Sequence, residues 1–185
     1  FLPQEEPVVD VALGGGALLL AMESGELRVL DLSDVYSPRL EAVLPNPGGV
    51  AHEDLAVSGR RFVSADPAAG EVHVGLLGGA AWESLAVPDL VEVAVDGEAL
   101  FVLTEGALDV RALAEPSESL LVDGPVTLET GTLLGLRAEA GRVAIWGRRG
   151  VEVFRADGVA ERGECGPHVR GLHACGAARW QASAL

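Results

Sequence analysis

Three carboxylic acids recur at one spacing. Asp10, Asp54 and Glu92 each stand five positions before a glycine: Gly15, Gly59 and Gly97. Each lies in or opens a short apolar segment, Val9-Asp10-Val11-Ala12-Leu13, Asp54-Leu55-Ala56-Val57 and Glu92-Val93-Ala94-Val95. Acids gathered from three segments offer two kinds of chemistry. Carboxyls with separated pKa values can act as acid and base on a glycosidic bond. A ring of carboxylates can hold a hard cation such as Ca²⁺. The plainer use is structural, with each acid accepting hydrogen bonds from the backbone of a neighbouring segment, and we expect that use here. Leu136 and Gly171 take the corresponding place in two later segments, so the acid series stops at three.

A second cluster lies near the end of the chain. Cys165, His168, His173 and Cys175 form C-x₂-H-x₄-H-x-C, which holds zinc-ligand types without the spacing of a standard finger. Were residues 169 to 175 a strand, about 3.3 Å per residue would hold the two cysteines about 20 Å apart, too far for a disulfide. His52-Glu53-Asp54 lacks a nucleophile on a strained turn, so it reads as a loop entering a strand. Gly14-Gly15-Gly16 has no following Lys-Ser/Thr and no helix to hold a phosphate; it reads as a turn. We expect no catalytic residue, no cofactor and no metal, with the acid trio and the Cys/His cluster as the alternatives.

The elements that would position these residues repeat. Gly15, Gly59, Gly97 and Gly141 each separate two apolar segments, and Gly25, Gly70, Gly106 and Gly150 follow them about ten residues later. Segments of three to five residues line up on this register. The second is apolar on both faces: Ala17-Leu18-Leu19-Leu20-Ala21, Arg61-Phe62-Val63-Ser64-Ala65, Ala99-Leu100-Phe101-Val102-Leu103 and Val143-Ala144-Ile145-Trp146. The third alternates apolar residues with Arg28, His73, Asp109 or Glu152, which predicts one wetter face. A weaker fourth completes each unit. Glycine at the fold-backs supplies the positive φ of tight hairpins. No window of helical length shows a 3.6-residue period free of Gly or Pro.

Four strands per unit of roughly forty residues is the period of a propeller blade. The expected fold is therefore all-β, a β-propeller-like array of about four and a half four-stranded blades. The boundaries are an N-terminal extension at 1–7, then blades at 8–47, 48–88, 89–124 and 125–167, and the first two strands of a fifth at 168–185. Half a blade leaves open sheet edges, so a protein partner or an additional chain is expected to complete the array.

Within the first unit, Val9-Asp10-Val11-Ala12-Leu13, Leu27-Arg28-Val29-Leu30-Asp31-Leu32-Ser33-Asp34 and Pro38-Arg39-Leu40 resemble the LVIVD repeat of bacterial and archaeal surface β-propellers. The match covers residues 8–45; the later units keep the glycines but carry other residues in the loop. The resemblance implies a non-catalytic scaffold or protein-binding module, extracellular, periplasmic or at the cell surface, with a cytoplasmic adaptor as the alternative.

Composition narrows the partners. The 185 residues carry 28 acidic and 13 basic side chains, a net charge of −15. Such a chain repels nucleic acid and anionic lipid. No apolar run approaches the roughly 20 residues of a membrane helix. The sequence begins at Phe1 and its one methionine is Met22, so a processed chain or a piece of a longer one is expected.

Overall fold

The computed structural model describes residues 6–44, 53–79, 82–120, 125–128, 132–157 and 171–173. Every regular element among them is a strand. Two compact units meet in sequence at Val87 and Pro88, each built from two antiparallel sheets.

In the first unit, sheet 1 contains β1 (Val8–Gly14), β2 (Ala17–Met22), β3 (Leu27–Asp31) and β4 (Arg39–Leu44) in sequential order. Sheet 2 contains β5 (Glu53–Ser58), β6 (Arg61–Asp66), β7 (Glu71–Leu76) and β8 (Trp82–Ala86), again in order. Strand side chains alternate between faces, so one face of sheet 1 supplies Ala12, Ala17, Leu19, Ala21, Leu27 and Val29 to a shared core. Leu55, Val57, Phe62, Leu77 and Trp82 come from sheet 2 and its turns. Phe62 and Trp82 meet edge to face, with ring centroids 5.6 Å apart. Burying each large side chain contributes about 1.5–3 kcal/mol, which outweighs the weak local preference of such short strands.

In the second unit, sheet 3 contains β9 (Leu90–Asp96), β10 (Ala99–Thr104), β11 (Ala107–Ala112) and β12 (Glu115–Ser119), with β13 (Val126–Thr127) also pairing with β11. Sheet 4 contains β14 (Leu133–Glu139), β15 (Arg142–Gly147), β16 (Gly150–Asp157) and β17 (Gly171–His173). Ala94, Phe101, Leu103 and Val110 of sheet 3 pack against Leu136, Val143, Ile145 and Phe154 of sheet 4.

The all-β, blade-like reading is what the structure shows, and several details of its register differ. Gly15, Gly59 and Gly97 open the first hairpin turn of their sheets at φ 58°, 57° and 58°. In sheet 4 that place belongs to Ala140, at φ 52°, and Gly141 is the second turn residue. The reason is burial. With Glu139 opposite Arg142, Leu136 lies opposite Ile145 and both face the core. A shift of one residue would turn that whole strand over. An alanine at positive φ costs about 1 kcal/mol, less than exposing two large side chains. Gly135, not Leu136, therefore occupies the place equivalent to Asp10.

Val126–Thr127, read as the start of the fourth unit, is paired into sheet 3. Gly171–His173, read as the opening of a fifth blade, pairs with β16 as the fourth strand of sheet 4. Two of the four alternating polar residues of the third strands are not on a wet face. His73 is 1% exposed and Asp109 6%. Trp146, expected in the core, is 37% exposed, its ring lying over Gly135 where any Cβ would collide with it.

Candidate interaction surface

Within the acid trio, Asp10 does structural work. Asp10 on β1 accepts a hydrogen bond from Leu55 N at 2.7 Å through Oδ2 and from Val11 N at 2.8 Å through Oδ1. It thus stitches sheet 1 to the backbone of β5. Asp54, the residue before Leu55, has a φ of 52°, a conformation that Asp tolerates better than most residues. Glu92 lies on β9, half-buried and opposite Leu103. Among the described residues, no group of three or more His, Cys, Asp and Glu is placed to hold a metal ion. Of the Cys/His cluster, His173 is on β17; Cys165, His168 and Cys175 lie outside the described residues.

Two buried polar side chains missed by the alternation rule, each paired with an exposed serine, occupy one register position. His73 Nδ1 and Ser84 Oγ are 2.8 Å apart, joining β7 to β8. Trp82 stacks at a tilt beside the imidazole, and Glu71 Oε2 lies 3.7 Å from Nε2. Burial holds the His73 pKa below its ordinary value, opposed by Glu71 and Asp66. Asp109 is the counterpart in sheet 3. It accepts from Ser119 Oγ at 2.6 Å, Arg111 Nε at 2.9 Å and Val110 N at 2.9 Å. Arg111 also donates to Pro116 O at 2.9 Å. Both serines sit on the fourth strand, so each pair clasps the outer strand to the third. A serine ten or eleven residues away was the signal available in the sequence.

A cavity of about 420 Å³ in the second unit is lined by Val91, Glu105, Thr132 and Leu133. Among the described residues that line it, Glu105 is the one ionisable group.

The larger feature is apolar and exposed. On β1, Val9, Val11 and Leu13 share a face and are 48%, 55% and 70% exposed. Cross-strand pairing extends that face along two rows, Leu13–Leu18–Leu30–Leu40 and Val11–Leu20–Arg28–Val43, so Arg28 interrupts it. Leu20, Leu30 and Met22 form a buried cluster at its middle, while Leu40 and Val43 on β4 are open again. Between β3 and β4, Asp31 accepts from both the backbone and the hydroxyl of Ser33, and Asp34 accepts from Tyr36 N at 3.0 Å. These Asx bonds fix a compact loop that presents Val35 and Tyr36, the latter 95% exposed. The exposed apolar residues thus form two patches, one on β1 and one on β4 with its preceding loop, on either side of a buried middle.

No family model and no curated protein matches the sequence. Solved structures do. The computationally designed Ika4 protein superposes with a TM-score of 0.63 at 14% identity, over 83% of this chain and 94% of that one. Kluyveromyces lactis Hsv2 gives 0.60 at 10% identity, over 85% and 48%. Human WBSCR16 gives 0.62 at 15% identity, over 85% and 50%. The chain thus spans about half the length of the last two, both propeller proteins. At such low identity the likeness concerns the fold alone. Four sequentially ordered antiparallel sheets, joined to these similarities, make the chain an all-β, propeller-like protein.

Proposed function

We propose that this protein is a non-catalytic, propeller-type binding module of the LVIVD kind that works outside the cytoplasm. The observation that carries the binding reading is the open apolar face of sheet 1 beside the pinned Val35–Tyr36 loop. The resemblance supports the compartment and the family: Asp31, Ser33 and Asp34, which carry the match, are the residues whose side chains shape that loop. Propeller neighbours fit a scaffold. The alternative, chemistry on Asp10, Asp54 and Glu92, gains nothing from Asp10, both of whose oxygens accept backbone N–H groups.

A photo-crosslinking residue at position 36, introduced into the protein in its native cells, tests the reading. The expected result is one discrete protein adduct, lost when Val35 is replaced by Asp. Absence of any adduct, or hydrolysis of aryl glycosides that disappears in Asp54→Asn, would overturn it.

A further inference from the structure

The face of sheet 1 that stands open has a counterpart inside the protein. Aligned on their first turns, Val11, Leu13 and Leu18 of sheet 1 correspond to Leu55, Val57 and Phe62 of sheet 2. In sheet 2 those three side chains are packed against sheet 1, and Phe62 is 1% exposed. In sheet 1, Val11 and Leu13 are 55% and 70% exposed and, among the described residues, meet no such neighbour.

The opposite kind of face is open on sheet 4. With Ala140 in the place of Gly15, Ala144, Trp146, Val151 and Val153 correspond to Leu19, Ala21, Leu27 and Val29 of sheet 1. The sheet 1 residues are all 0% exposed under the cover of sheet 2. Trp146 is 37% exposed, and Ala144, Val151 and Val153 are only partly buried. Among the described residues, the chain therefore carries one partly open face of each type that its own sheets 1 and 2 join.

We infer that a second copy of this chain docks head to tail, its sheet 4 face (Ala144, Trp146, Val151, Val153) against the sheet 1 face (Val11, Leu13, Leu18). The inference rests on the binding-module reading and names its partner. It repeats a contact already present between sheets 1 and 2. Four strands of five or six residues offer a flat face of roughly 400 Å² per partner, so one contact is small beside a standard interface. Association is then concentration-dependent. Each copy carries −15, so added salt strengthens it by screening.

Sedimentation equilibrium of the full chain tests this. The mass should rise from 19.1 kDa toward twice that value with concentration, and more readily at high salt. Leu13→Glu and Trp146→Glu should each stay at the single-chain mass with an unchanged strand signal in circular dichroism. An equimolar mixture should associate again, because each variant keeps the face the other lacks. Should Trp146→Glu unfold, Arg137→Glu at the rim of the same face, 76% exposed, takes its place. A parent that stays at the single-chain mass, variants that associate like the parent, or a mixture that stays monomeric would each overturn the inference. A foreign adduct at position 36 on a monomeric parent would overturn only the self-docking and leave the binding module standing.

Discussion

Sheets 2 and 3 solve one problem with different chemistry. Each must hold a short, largely exposed outer strand, and each does so from the same position on its third strand. Sheet 2 uses a neutral imidazole against Ser84. Sheet 3 uses a carboxylate against Ser119, with Arg111 beside it. The two clasps are 2.8 and 2.6 Å long, yet they respond differently to change. A buried carboxylate with a cation at its side is strong while intact and costly to break. A buried histidine is a weaker clasp whose contribution falls in acid. Register specifies the place of the polar group, and the neighbouring strand decides which group can be buried there.

The largest effect is expected from Asp109→Ala. It removes the acceptor of three hydrogen bonds and leaves the Arg111 guanidinium, 18% exposed, without its counter-ion. A loss of about 3 kcal/mol in denaturant unfolding is expected. A variant within 0.5 kcal/mol of the parent, roughly the size of a neutral surface change, would erase the distinction between the clasps.

A smaller effect separates them by pH. The folded pKa of His73 is depressed, so on acidification the unfolded chain takes up the proton first. Stability is therefore complete above the unfolded value of about 6.5 and falls as the pH drops from there through the lower folded value. The melting temperature of the parent should decline between pH 7 and pH 5 more steeply than that of His73→Gln. Parallel profiles would remove the acid response from sheet 2.

The smallest effect has the opposite sign. Ala140→Gly relieves a left-handed alanine and should stabilise by about 0.5–1 kcal/mol, whereas Gly97→Ala, at φ 58° with open space around its Cβ, should cost about as much. Thermal denaturation of the two variants checks the pair. Equal signs would mean that the first turns of sheets 3 and 4 are not equivalent.

The sequence made most of the architecture readable, because hairpins are local. Glycine between two apolar runs located three first turns, and double-faced apolar segments located β2, β6 and β10, buried along nearly their whole length. What it concealed was decided at a distance. Ala140 hid the fourth turn because the burial of Leu136 and Ile145 outweighed the glycine preference one residue on. His73 and Asp109 looked outward-facing because the serines that satisfy them belong to another strand. Asp10 was legible as a residue at a fixed register, but its use required knowing that Leu55 N lies beside it. The open face of sheet 1 was concealed for a similar reason. Val11 and Leu13 look like core residues until the cover they lack is known.

The late arrival of β17 has a consequence for how the chain is made. Sheets 1 and 2 can each zip up strand by strand as they leave the ribosome, since every strand follows soon after its partner. β16 ends at Asp157 and its outer neighbour begins only at Gly171. At translation speeds of about 5–20 residues per second, β17 emerges about a second after the strand it pairs with. Nascent chains crowded on one message would be most prone to stick to each other there.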